Sequence, residues 1–222
     1  MISMTKEICT FLWDFYHNHD NAYPVIKKAV ERIENVSLTD CKIEELSAVI
    51  DKNPDVIFLG REDRLNPEDE TVNRWLTNAL DDKITSYVKN GGSLIAMHTA
   101  IASYPENSKY VDMLKGYFIT HPPEHYLVRY KSNEKLPFPN SQAYDFEIMD
   151  EHYVVYVDTE NTNVFMSHSS AYGEGHAGWY HSYGKGKVMV IVPTHNKEGF
   201  EHPEMLRLIH EAITLALGDQ CA

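Results

Sequence analysis

The sequence predicts an α/β domain built on a mostly parallel sheet with helices on both faces. Three observations predict it. Short apolar runs of five or six residues recur through the first half of the chain, as buried parallel strands require. Stretches with apolar residues at helical spacing alternate with those runs. The changeovers fall at prolines, a glycine pair and polar clusters, where such elements begin and end.

Residues 8–13 form the first such strand, and the polar stretch 14–21 ends it. Pro24 suits the first turn of a helix running to residue 33, with Val25, Ile26, Ala29, Val30 and Ile33 on one face. Residues 36–41 give a second strand and 43–50 a short amphipathic helix. A buried strand at 55–60 leads into the charged loop Arg61-Glu62-Asp63-Arg64. Pro67 then opens a helical stretch through Trp75, Leu76 and Leu80 towards Val88, broken at Gly91-Gly92. Residues 93–98 are the next buried strand.

The second half is less regular. Residues 109–115 read as helix, 116–120 as extended, and 126–130 alternate like a half-exposed strand. A proline-rich loop spans 136–139, and 146–153 lead into a strand at 154–157. Another strand covers 163–168. Residues 179–183 and 187–192 flank Gly184-Lys185-Gly186, a hairpin-like turn. A last helix runs over 203–217, with Leu206, Ile209, Ile213 and Leu217 on one face. No repeat, low-complexity segment or linker divides the chain, so residues 1–222 read as one domain.

Composition narrows the partners. The formal net charge of -13 argues against nucleic acid or an anionic membrane, because phosphate surfaces want a basic face. It leaves a neutral small molecule such as a sugar open. Cys9, Cys41 and Cys221 form no closely spaced pair, which indicates a reducing compartment. Residues 1–11 carry no secretory pattern and no stretch approaches a membrane span, so the cytoplasm is the expected location. A homodimer is the default expectation for assembly.

Twelve histidines stand out, several of them just beyond strand ends. In open parallel sheets ligands bind outside the carboxyl ends of the strands. Asp14 and His17 follow the first strand, Arg61 and Glu62 the third, His98 the fourth, and His195 the strand at 187–192. The strongest local pattern is Gly91-Gly92-Ser93-Leu94-Ile95-Ala96-Met97-His98-Thr99-Ala100: a glycine pair, an apolar strand, then a polar residue followed by small ones. That pattern lifts the polar residue above the sheet on a sharp turn, where acyl-transfer enzymes carry their nucleophile. An imidazole there serves as base, acid or metal ligand, or simply binds loop backbone. Glu151 is the carboxylate expected to pair with His195 or His98, unless Asp150-Glu151 only caps a turn. His121, before Pro122-Pro123, is expected in a loop near the site. Trp179 offers a plane to stack on a sugar face, or belongs to the core. His168, His176 and His181 match no standard zinc spacing and read as surface.

Four motifs in order resemble the ThuA-like (trehalose utilisation) family: Gly91 to Ala100, Asp150-Glu151-His152-Tyr153, Trp179 before the hairpin, and Tyr183-Gly184-Lys185-Gly186-Lys187-Val188 with Thr194-His195 after it. Thr194 and Lys187 depart from the family's usual Gly and Arg. The resemblance implies a flavodoxin-like, class I glutamine amidotransferase-like three-layer sandwich. It also implies that His98 stands where an amidotransferase has its cysteine, so glutaminase chemistry is not expected. The expectation is an enzyme acting on a disaccharide or oxidised sugar. Its catalytic groups would be His98, His195 and Glu151, with Asp14, Arg61, Glu62, His121 and Trp179 binding substrate. His98 and His195 are also candidate ligands for a divalent metal such as zinc. The alternative is a non-catalytic carbohydrate-binding or regulatory domain on a degenerate amidotransferase scaffold.

Overall fold

The computed structural model describes residues 5–218; Cys221 lies outside the described residues. In chain order the strands are β1 (Lys6–Leu12), β2 (Val36–Asp40), β3 (Val56–Gly60), β4 (Ser93–Met97), β5 (Gly116–Thr120), β6 (Tyr126–Ser132), β7 (Asp145–Asp150), β8 (Val154–Val157), β9 (Asn163–Ser170), β10 (Gly173–Tyr183) and β11 (Gly186–Ile191). The α-helices are α1 (His19–Val30), α2 (Leu46–Asp51), α3 (Asn78–Lys89), α4 (Lys109–Leu114), α5 (Lys197–Glu201) and α6 (Pro203–Ala216). Nine strands form one sheet in the order β2-β1-β3-β4-β11-β10-β9-β6-β7, and β5 pairs with β8 apart from it.

The expected α/β class is what the chain adopts. The first five strands of that order are parallel throughout. The order of winding across the sheet reverses between β1 and β3, since β1 connects outward to β2 while β3 leads on to β4. With right-handed crossovers, this reversal puts α1 on one face and α2 and α3 on the other. Accordingly α1 packs with α5 and α6, and α3 with α2 and α4. The fully buried patterns of β3 and β4 follow from being covered on both sides. The remaining strands β10, β9, β6 and β7 extend the sheet as antiparallel neighbours. No helix among the described residues is long and apolar enough to cross a membrane.

Some boundaries differ from the sequence reading, each for a visible reason. The first helix begins at His19, because Asn18 caps it by accepting from the Asp20 amide at 2.9 Å, and Pro24 lies inside the helix. The stretch from Pro67 stays irregular until Thr77 caps α3. Trp75 and Leu76 are buried there by loop bonds instead: Trp75 Nε1 donates to the Glu62 carbonyl (2.8 Å) and the Leu76 amide to Asp63 (2.9 Å). β7 ends at Asp150, and residues 151–153 are a loop before β8 joins the small sheet. The glycine pair is required as read. Gly91 has a φ of +129°, and a Cβ on Gly92 would stand 2.2 Å from the Tyr87 ring.

Candidate functional site

The strand β4 delivers His98 onto a one-turn 3-10 segment, His98–Ile101. The His98 backbone has a φ of +48°, a left-handed conformation that costs a non-glycine residue about 1–3 kcal/mol. Such strain persists where surrounding contacts fix it. The ring is only 1 % exposed, and its Nδ1 lies 2.7 Å from the Val192 carbonyl. Its Nε2 faces Glu151 Oε2 at 3.2 Å. His98 and His195 stack with centroids 5.8 Å apart, so the two strand ends deliver their rings to one place.

His17 and the carboxylate partner of His195 complete the group's framing. His17, after β1, bonds through Nδ1 to Asp14 Oδ1 (2.6 Å), and its ring is 5.2 Å from that of His98. Asp14 is held from behind by the Glu62 amide (3.1 Å). His195, after β11, bonds through Nδ1 to Asp150 Oδ1, and Tyr130 donates its hydroxyl to Asp150 Oδ2 (2.7 Å). Asp150 closes β7 and Glu151 opens the loop after it; Asp150 serves His195 while Glu151 serves His98. His121 Nε2 approaches Glu151 Oε1 at 3.9 Å, and Tyr153 stacks on His98 at 4.1 Å.

The surroundings push these groups apart. Burial lowers His98 below the usual imidazole range, more than Glu151 raises it, so the ring is neutral near neutral pH. Burial also works against a charged His195, but the hydrogen bond and charge of Asp150 outweigh it and raise that ring. Burial opposes ionisation of Glu151, yet its pairing with His98 and the nearby imidazoles bring it down to about 2. Asp14 is likewise lowered: burial opposes, and the bond to His17 prevails.

Beside this cluster lies a cavity of about 290 Å³ whose lining includes Tyr16, His17, Glu62, His121 and Glu151. Glu62 forms part of its wall, accepting from the Ser103 hydroxyl at 2.6 Å and from Arg64 Nε at 3.3 Å. Glu62 Oε1 is buried and has no hydrogen-bond partner among the described residues.

Six of the eight residues singled out from sequence meet in this cluster, Asp14, Glu62, His98, His121, Glu151 and His195, and of these Glu62, His121 and Glu151 line the cavity. Two do not. Trp179 is fully buried and donates Nε1 to the Leu114 carbonyl (2.8 Å), so no sugar reaches its ring. Arg61 does not line the cavity; its guanidinium donates to the Trp13 carbonyl and braces two loops, while Arg64 reaches the cavity. His168 and His181 are buried rather than at the surface. Neither Cys9, within β1, nor Cys41, just after β2, stands at the His98 turn.

Sequence reasoning passed over Asp150 as a partner for His195, and Tyr16, Ser103 and Tyr153 as neighbours. His17 stood out only for its place after the first strand. The signal for Asp150 was its adjacency to Glu151. For His17 it was the Asp14-x-x-His17 spacing.

A family model described as ThuA, trehalose utilisation, matches residues 13–216. No curated protein matches the chain. Among solved structures, a ThuA-like protein from Parabacteroides merdae superposes with a TM-score of 0.72 at 11 % identity, covering 99 % of this chain and 92 % of that one. A ThuA-like protein from Bacteroides uniformis gives 0.65 at 17 % identity, covering 96 % and 91 %. A β-galactosidase from Bacillus circulans sp. alkalophilus gives 0.63 at 9 % identity, covering 96 % of this chain but 31 % of that one. At these identities the structures speak for the fold alone. The family match spans most of the sequence, and the chain belongs to the ThuA family, whose description, trehalose utilisation, falls within sugar metabolism.

Proposed function

We propose that this ThuA-family chain is an enzyme that acts on a disaccharide or an oxidised sugar by proton transfer in the cavity beside His98. One observation carries the reading: two imidazole–carboxylate pairs, His195–Asp150 and His98–Glu151, lie side by side with opposite shifts. Groups whose surroundings drive them apart are suited to opposite roles in acid–base chemistry. His195, raised by Asp150, is the ring favoured to hold a proton and gives it to a leaving or carbonyl oxygen. His98 is neutral and accepts one, with Glu151 anionic beside it. Glu62 Oε1 and the Ser103 oxygen, whose hydrogen goes to Glu62, offer acceptors to sugar hydroxyls, and Asp14 holds His17 at the same rim. The exposed ring of Tyr16 takes the stacking role expected of Trp179. A cavity of about 290 Å³ suits one sugar ring better than a long oligosaccharide, since small-molecule sites run from roughly 300 Å³ upward.

The test is turnover of a panel of disaccharides and their oxidised forms, followed by carbon NMR. His195→Gln and Glu151→Gln are expected to lower the rate about 10²–10⁴-fold. Wild-type rates in both variants remove the reading. A second reading, binding without catalysis, is favoured by the occurrence of the same fold as under a third of a β-galactosidase chain. Saturable sugar binding with no product after long incubation is the result that would select it.

A further inference from the structure

We propose that His17, His98 and Glu151 hold one divalent cation, zinc being the best match, with an open position facing the cavity. One ligand-capable atom from each of these three side chains lies within 4.8 Å of the other two. The 3.2 Å from His98 Nε2 to Glu151 Oε2 is close to the roughly 3.4 Å between ligands of a tetrahedral site with bonds of about 2.1 Å.

The opposite ring nitrogens give the stronger argument. His98 Nδ1 lies 2.7 Å from a backbone carbonyl oxygen, which can only accept. That nitrogen therefore carries the hydrogen, and in the neutral ring Nε2 presents a bare lone pair. His17 Nδ1 lies 2.6 Å from Asp14, which fixes the same tautomer there. Histidines that ligate metals have this arrangement, donating the second N–H to a carboxylate or carbonyl. A lone pair and a carboxylate oxygen 3.2 Å apart repel unless something positive lies between them. A cation meets that need, and a shared proton is its rival. Two imidazoles and one carboxylate are a donor set of open, catalytic zinc sites. The alternative grouping of His125, Glu151 and His195 has similar spacing, but His125 is exposed and His195 is committed to Asp150.

The inference deepens the proton-transfer reading and rests on it only for the purpose of the site. With the ion in place, His98 and Glu151 act as ligands and proton transfer falls to His195. The test uses the full chain without a tag, stripped by chelator. Zinc is titrated against a chromophoric competitor, and cobalt is followed by its visible absorption. One equivalent of zinc and a four-coordinate cobalt spectrum are expected. Asp14→Asn, which spares every ligand, is expected to weaken zinc about 10–100-fold. His17→Gln should weaken it further, and His176→Gln should leave it unchanged. Absence of stoichiometric zinc, or wild-type affinity in both His17→Gln and Asp14→Asn, overturns the site. Full sugar turnover by stripped protein overturns the metal while leaving the acid–base reading standing. A bound ion with no turnover does the reverse.

Discussion

Two groups of histidines occupy the two halves of the sheet, and they differ in what they touch. In the parallel half, His17, His98 and His195 stand just past strand ends, each with Nδ1 bound and carboxylates at hand. In the antiparallel half, His168 lies within β9 and His181 within β10, both buried. Neither ring nitrogen of His168 has a hydrogen-bond partner among the described residues, and burial lowers it to about 4. His181 bonds the Met113 carbonyl through Nε2 and is likewise lowered by burial. A histidine inside a strand packs as a neutral ring. A histidine past a strand end, beside an acid, is equipped to move protons or bind an ion.

The largest effect that would break this contrast comes from removing a carboxylate. Asp150→Asn takes away what raises His195, so the ring should titrate at lower pH, and turnover should fall about 10²–10⁴-fold. Proton NMR of the imidazole together with the sugar assay checks both; unchanged titration and rate would erase the distinction between the halves. Next is His168→Leu, read by denaturant unfolding against pH. In the wild type the folded ring stays unprotonated down to about 4 while the unfolded chain takes up a proton near 6.5. Stability is therefore fully present above 6.5 and is lost as pH falls from 6.5 to 4, by on the order of 3 kcal/mol. The variant should flatten that acid limb, and an unaltered limb refutes the neutral buried ring. Trp179→Phe should destabilise the fold by about 2 kcal/mol through lost volume and the lost bond to Leu114, with sugar affinity unchanged. Weaker sugar binding at wild-type stability would return Trp179 to the cleft. The smallest effect is Tyr130→Phe, which leaves Asp150 one donor short and should change turnover by less than about tenfold.

The fold was legible wherever burial on both faces wrote itself into composition. β3 and β4 are unbroken apolar runs because helices cover both sides. The stretch 67–77 misled because Trp75 and Leu76 are spaced like a helix face, while their burial is achieved by side-chain bonds to a loop. At the site, the rule that ligands gather past parallel strand ends located Asp14, Glu62, His98 and His195 without any structure. Glu151 came from its motif. Which acid serves which ring was not legible, because it depends on how β7, the far edge strand of the sheet, brings its end back towards β4 and β11. Trp179 shows the converse limit. An aromatic beside a hairpin looks available in sequence, and only its burial, with the indole N–H bound to the Leu114 carbonyl of α4, closes it off.

The left-handed bend at residue 98 separates where chemistry happens from which chemistry it is. The backbone sets the direction in which a side chain is offered to the rim, and the ring's bond to Val192 helps to hold the bend. His98→Cys would therefore present a thiol from the same perch, with Glu151 and His195 already flanking it. Such an exchange would trade imidazole for thiol at that turn and give up the bond to the Val192 carbonyl.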